Sequence, residues 1–387
     1  MIQSHEKLIA LLDRHIMECT CLPRQYIGME IEFFCFKEDK TNLDMVELEG
    51  YILLALRENK YKFSRDNFLN IKIENTGCIS YEPGGQLEFS SQKEVNVNEL
   101  LKKTIHFLQF LINKLKDFGY SIFFTGCNPR KLNQKIMKPE KRYLLMQKEF
   151  DEYGIYGRYM MLNTASIQVN VDFGSYKEFG IRWRNLHLFY PIFVTLFGNS
   201  TVFNKSDTGY ISYRQHIIEQ IGGKRVKGLY RNRMHEDTKM NISNYCLFLY
   251  ENNIFSNISS DEELLKELLH DVFPIVRIRE YFEVRYFDSL DLYYVCCPII
   301  LIYVINYDLE MQKWVEKELD ELYYLYQKFT YKAIRYGLKE TELRTFCSKF
   351  INKALEILKN RYQDIIEDTF INRLKEYWEM RIEIYDE

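Results

Sequence analysis

The chain has 387 residues, of which 47% are hydrophobic and 28% charged, with a net charge of −3. That balance suits one large packed domain or two ordinary ones and excludes an intrinsically disordered polymer. With no basic excess, nothing in the charge points to nucleic acid as a partner.

In chain order, residues 4–19 carry the apolar spacing of an amphipathic helix, with charges where a secretory leader would be apolar. Cys19 and Cys21 form a C-x-C, which lacks the paired spacing of a structural zinc site, and the nine cysteines are scattered. A cytoplasmic protein with reduced thiols is therefore expected. "YIGMEIEFF" (26–34) reads as a strand, with Ile27, Met29, Ile31 and Phe33 on one face and Glu30 and Glu32 on the other. In "EPGGQLEFSS" (82–91), Glu82 and Glu88 flank a Pro-Gly-Gly turn, and Gln86 shares the parity of Glu88. Residues 97–118 form a helix that stops at Gly119, and 120–126 a short strand. A second helix is expected over 139–154, with Pro139 near its start and Gly154 after it. "SIQVNVDF" (166–173) alternates Gln168, Asn170 and Asp172 against Ile167, Val169, Val171 and Phe173, and 176–198 is helical. "EYFEVRYFD" (280–288) sets Glu283 and Arg285 against Phe282, Val284 and Tyr286.

From Leu290 onward the pattern is almost wholly helical, with no Gly beyond Gly337 and no Pro beyond Pro298. The apolar run 295–305 is too short to cross a bilayer, so no membrane partner is expected. No repeat or flexible linker divides the chain. The expected fold class is α+β in a single domain over 1–387, with a sheet core over 22–290 and a helical portion over 291–387.

The polar face of any one such strand meets water in an ordinary antiparallel sheet. This set differs, because carboxylates and carboxamides cluster where Lys, Thr or Ser are usual. Like charges on neighbouring strands destabilise a sheet unless a cation lies between them. Oxygen ligands with little His or Cys suit Mg²⁺ or Mn²⁺. Glu30 and Glu32 are therefore candidate metal ligands, and Arg285 among the carboxylates suits a nucleoside triphosphate. The usual nucleotide loops are missing: "IGGKRV" (221–226) lacks the first glycine and the Ser/Thr of a P-loop, and no G-x-G-x-x-G follows a strand. There is no G-x-S-x-G elbow or H-E-x-x-H either. ATP, if bound, would sit on the sheet through metal ions.

Seven stretches, in order, resemble the glutamate–cysteine ligases of the plant-type and ergothioneine-pathway branch, within the glutamine-synthetase-like carboxylate–amine ligases. They are "GMEIE" (28–32), "EPGGQLEFSS" (82–91), "RYLLM" (142–146), "GRYMMLNTASIQVNVDF" (157–173), "LFGNS" (196–200), "TGYISYRQ" (208–215) and "FPIVRIREYFEVRYFDS" (273–289). The resemblance implies a curved, largely antiparallel sheet cupping an ATP and metal site. It implies that Glu30, Glu32, Glu82 and Glu88 hold two or three Mg²⁺ ions, with Glu283 completing a site between the triphosphate and the acceptor. Arg285 would reach the ATP phosphates, with Gln168 and Asn170 as neutral ligands or donors in the same cavity. Arg277 and its neighbour Arg279 are phosphate contacts or strand-edge salt bridges; the sequence leaves both open. The implied reaction activates a carboxylate with ATP as an acyl phosphate, which an amine then converts to an amide.

The family's substrate loop reads Arg-x-x-x-Trp, then Asp and Arg. Here Arg214 and Arg225 stand in place as acid-substrate or phosphate ligands, whereas Ile218 replaces the aromatic and Gly222 the acid. A ligase joining a different acid and amine, or a catalytically silent nucleotide-binding homologue, are the alternatives. The partners expected are small amino-acid substrates and ATP, and homo-oligomerisation is left open. Cys35, Cys127 and Cys246 read as small core residues, His187 and His216 as structural, and the Tyr-rich helix 318–329 as core.

Overall fold

The computed structural model describes residues 5–20, 25–37, 44–66, 69–138, 140–222, 225–226, 234–252 and 261–386. Ser4, Cys21, Pro139, Gly223 and Lys224, which figured in the sequence reading, lie outside these residues.

Eleven strands are present among them. They are β1 (Ile27–Lys37), β2 (Phe63–Arg65), β3 (Ile71–Ile73), β4 (Gly77–Tyr81), β5 (Leu87–Ser91), β6 (Tyr120–Phe123), β7 (Ser166–Val171), β8 (Val202–Phe203), β9 (Ser206–Asp207), β10 (Val276–Ile278) and β11 (Phe282–Asp288). Nine form one sheet in the order β10-β11-β7-β1-β5-β4-β3-β2, with β6 also on β1, and β8 and β9 pair separately. Every pairing is antiparallel.

Register turns the alternation within each strand into continuous rows across the sheet. Phe287, Ile167, Ile31, Phe89, Ile79 and Ile71 stand opposite one another in sequence across six strands. All six are essentially fully buried. Each such side chain contributes about 1.5–3 kcal/mol on burial, so this apolar row fixes which face turns inward. A one-residue slip would place every one of them on the polar side.

The helices cover that apolar face. Val97–Asp117 starts at an Asn96 cap and ends before Gly119, whose φ of +81° is the left-handed conformation that glycine tolerates at a helix end. Cys296–Tyr307, buried along its whole length, packs on β7, and Tyr190–Phe197 packs on β11. One contiguous core runs from Leu8 to Trp378 and takes in both the sheet and the C-terminal helices.

Two expectations shift. The helix expected over 139–154 occupies Lys141–Asp151. The stretch 176–198 divides into Tyr176–Leu188 and Tyr190–Phe197, joined at Phe189. Pro191 supplies the reason, since it has no N–H to continue the first helix but suits the opening of a second. Among the described residues, no helix is long and apolar enough to cross a membrane.

Candidate active site

The polar face of the sheet is built from the same registers. One row runs Ser80, Glu88, Glu32 across β4, β5 and β1. The next runs Ser64, Lys72, Cys78, Ser90, Glu30, Gln168 from β2 to β7. A third sets Asn170 of β7 beside Glu283 of β11, with Arg277 of β10 opposite Glu283. Carboxylates as far apart in the chain as Glu30 and Glu283 thus meet on one floor because the apolar rows beneath them lock the pairing.

The β4–β5 turn delivers Glu82 to this floor. Gly85 N–H donates to the Glu82 carbonyl at 2.8 Å, closing a turn with Pro83 second in it, as proline's fixed φ favours. A Cβ on Gly84 would lie 2.2 Å from the Leu162 carbonyl oxygen, so only glycine lets the turn dock there. Gln86 Nε2 then donates to the Thr164 carbonyl at 2.8 Å, and the turn is pinned against the segment that leads into β7.

Glu32, Glu82 and Glu88 bring carboxylate oxygens within 4.8 Å of one another. Glu32 accepts from Ser166 N (2.8 Å), Ser166 Oγ (3.0 Å) and Gln168 Nε2 (2.8 Å). Glu88 accepts from the hydroxyls of Ser80 (3.0 Å) and Ser90 (3.1 Å). Burial and the neighbouring Glu32 push Glu82 up to about 7. Burial and the charges of Glu30, Glu82 and Glu32 push Glu88 well above the ordinary carboxylate range. Such a trio needs either a shared proton or a cation. Its donor set, three hard oxygen ligands without His or Cys, fits Mg²⁺.

Glu30 stands beside the trio rather than in it. It accepts from Asn170 Nδ2 at 3.0 Å, and burial with the nearby Glu283 raises it to about 6. Asn170 Oδ1 is buried without a hydrogen-bond partner, an acceptor available to a cation next to Glu30. Gln168 lines the cavity and serves as a donor to Glu32.

Glu283, expected among the metal ligands, is engaged elsewhere. Arg277 Nη2 donates to one of its oxygens at 2.8 Å and Arg285 Nη1 to the other at 2.6 Å. Burial alone would raise its pKa, but the two guanidiniums overcome that and hold it far below the usual range. Both oxygens of Glu283 therefore already carry an arginine hydrogen bond. The assembly presents two guanidiniums against one carboxylate, a net positive wall facing the trio. Arg285 also donates to Gln168 Oε1 at 2.5 Å, which ties this wall to the carboxylate floor.

The two loop arginines part company. Arg214 is on the cavity wall, but its guanidinium donates to the carbonyls of Arg285 (2.9 Å) and Phe287 (3.4 Å) and faces Asp288 at 3.8 Å. It braces β11. Arg225 is not on the wall: its guanidinium donates to Glu149 at 2.7 Å and to the Asp271 carbonyl at 2.7 Å. Arg225, expected to read a substrate carboxylate, thus has its guanidinium on the Glu149 carboxylate and the Asp271 backbone carbonyl, away from the cavity lining. Gly222, where the family carries an acid, has its missing Cβ 2.4 Å from Tyr153 Cβ. Gly222→Asp should therefore fail to restore a substrate contact and should lower stability by about 1–3 kcal/mol through overpacking, which thermal melts will show.

Among the cavity residues that sequence reasoning passed over are Lys138, Arg142, Tyr143 and His270. "RYLLM" marked the neighbourhood of Arg142 without giving it a role. Lys138 and Arg142 add positive charge opposite the carboxylates. The cavity holds about 390 Å³, and a second wall is apolar, formed by Met146, Met160, Met161, Ile218 and Phe273.

A family model described as glutamate-cysteine ligase family 2 (GCS2) matches residues 26–368. The chain belongs to this family. Membership makes it an ATP-dependent ligase of the kind that forms carbon–nitrogen bonds. Among curated relatives, glutamate–cysteine ligase, chloroplastic, of Medicago truncatula is 22% identical over 95% of this chain and 78% of its own length. The Nicotiana tabacum protein of the same name is 25% identical over 70% of this chain, which spans only 57% of that relative. Among solved structures, the glutamate–cysteine ligase of Francisella tularensis in complex with AMP shares the fold, with a TM-score of 0.55. That likeness covers 94% of this chain and 83% of the other at 12% identity.

Proposed function

We propose that this protein joins the γ-carboxylate of glutamate to an amino-acid amine, using Mg²⁺ and ATP and passing through an acyl phosphate. One observation carries the reading: a buried carboxylate trio, Glu32, Glu82 and Glu88, faces the net-positive Arg277–Glu283–Arg285 wall across one cavity. Glu32, Glu82 and Glu88 would hold Mg²⁺, with Glu30 and Asn170 beside them. When bound, the metal neutralises triphosphate charge and makes the terminal phosphorus attackable.

The chain's own residues do the rest by placement and electrostatics. Arg285, held by Glu283 and Gln168, keeps its guanidinium turned to the phosphates, where paired charge-assisted hydrogen bonds are strongest. The substrate carboxylate attacks the γ-phosphate, ADP departs, and the acyl phosphate is left for the amine. No nucleophile from the protein is required.

A second reading keeps the mechanism and changes the substrates. It is favoured by the loop: Ile218 lies on an apolar wall and Tyr153 fills the space next to Gly222, where the family has polar or aromatic contacts. Hydroxylamine supplied with ATP, Mg²⁺ and a panel of acids tests both. Hydroxamate should accumulate with ADP and phosphate in equal amounts, and the acid that supports it identifies the donor. Release of AMP and pyrophosphate would instead mark an adenylating enzyme and end both readings.

A further inference from the structure

The cavity wall carries a side chain with no part in the reaction so far described. His270 ends the helix Asp261–His270 and lines the cavity alongside Arg142, Phe273 and Arg277. It is the one histidine among the described lining residues. Its carbonyl accepts from Arg277 Nη1 at 3.0 Å and Arg142 Nη2 at 3.2 Å, so the residue is fastened to the same arginine that holds Glu283.

The ring has an orienting partner. Nδ1 lies 3.7 Å from Asp271 Oδ1. Asp271 is in turn held by Arg142 Nε at 2.9 Å and faced by Arg225 at 3.7 Å. The far nitrogen, Nε2, has no protein partner among the described residues. The Asp271 carboxylate on the Nδ1 side of the ring favours the tautomer with its proton there, which leaves Nε2 as a proton acceptor. Asp271 alone would favour the imidazolium. Partial burial and the guanidiniums of Arg142, Arg279 and Arg277 outweigh it and leave the ring below the ordinary histidine value, hence neutral at pH 7.

We propose that His270, oriented by Asp271, takes the proton from the ammonium group of the acceptor substrate. The proposal rests on the ligase reading above. Nε2 accepts one proton from the ammonium, and the freed lone pair attacks the acyl-phosphate carbonyl to form the C–N bond. The C–O bond to phosphate then breaks and its electron pair leaves with the phosphate. The surplus proton on nitrogen departs with it as hydrogen phosphate, and the imidazolium returns its proton to solvent. The cavity's carboxylates are poor substitutes, being committed to the metal or, for Glu283, to two arginines.

Hydroxylamine separates this role from a structural one, since it is already neutral at pH 7 and needs no base. His270→Gln, assayed with glutamate, ATP and Mg²⁺, should lose about 10²–10⁴-fold in ligation of cysteine while keeping its rate of hydroxamate formation. His270→Ala should regain cysteine ligation on addition of imidazole. In the wild type the cysteine rate should level off above the histidine's titration, whereas in His270→Gln it should keep rising with pH. Equal loss of both products without imidazole rescue would overturn the proposal, as would an unchanged cysteine rate. A wild-type enzyme that makes neither product overturns the glutamate–cysteine reading instead.

Discussion

Glu88→Gln is expected to abolish amide formation and, at the same time, to raise the melting temperature of the metal-free protein. Its carboxylate lies in a trio whose oxygens approach within 4.8 Å, and the charges of Glu30, Glu82 and Glu32 all act against it. A neutral carboxamide relieves that repulsion. The Ser80 and Ser90 hydroxyls that donate to Glu88 can rotate to accept instead, so the substitution leaves no donor facing another donor. Losing a ligand removes several kcal/mol of charge stabilisation, about 10³-fold or more in rate. Melts in a chelator and in Mg²⁺–ATP would show the wild type rising steeply with metal and the variant scarcely moving. Near-normal turnover in Glu88→Gln would mean that the trio holds no metal the reaction needs.

The same repulsion fixes how the chelated wild type responds to pH. Glu30 and Glu82 sit above their ordinary value of 4.5, at about 6 and about 7, so the fold favours their protonated forms. That contribution is full below about pH 4.5 and is lost as pH rises through 6 and 7. Chelated protein should melt progressively lower over that window, and Mg²⁺ should flatten the slope.

Much of the floor was legible in the sequence because strand periodicity is a local property. The two-residue repeat in "GMEIE" places Glu30 and Glu32 on the face opposite Ile31 whatever the strand pairs with. What the repeat leaves out is register. Glu283 and Arg285 read as neighbours on one face, and they are, but nothing local says that Arg277 stands directly opposite Glu283 on β10. That pairing puts Glu283 in an arginine clamp. Lys138, Arg142 and His270 escaped for a related reason: they arrive from helices and loops whose approach to the sheet is decided by packing. A loop's spacing likewise does not reveal that the Arg225 guanidinium pairs with Glu149, away from the cavity lining, or that Tyr153 packs against Gly222.

Glu283→Gln should then be the most destabilising of the conservative changes in the site, and ATP should partly reverse the damage. The carboxylate is 1% exposed, and it is the counter-charge shared by Arg277 and Arg285. Removing one partner of a buried ion pair costs about 3–5 kcal/mol, because the remaining charge stays dry and uncompensated. Against a typical stability of about 5–15 kcal/mol, that is a large share. The wild type should show the matching acid sensitivity. Glu283 is held below its unfolded value, so its contribution is present above about pH 4.5 and is lost only as pH falls toward the folded value. In the variant, the two guanidiniums become the strongest unmatched positive charge on the cavity wall. A bound triphosphate supplies the missing negative charge, so the melting-temperature gap to the wild type should narrow on adding ATP and reopen when ATP is replaced by adenosine. If adenosine and ATP act alike, the arginine wall does not face the phosphates, and Arg285 must be reassigned to holding the sheet.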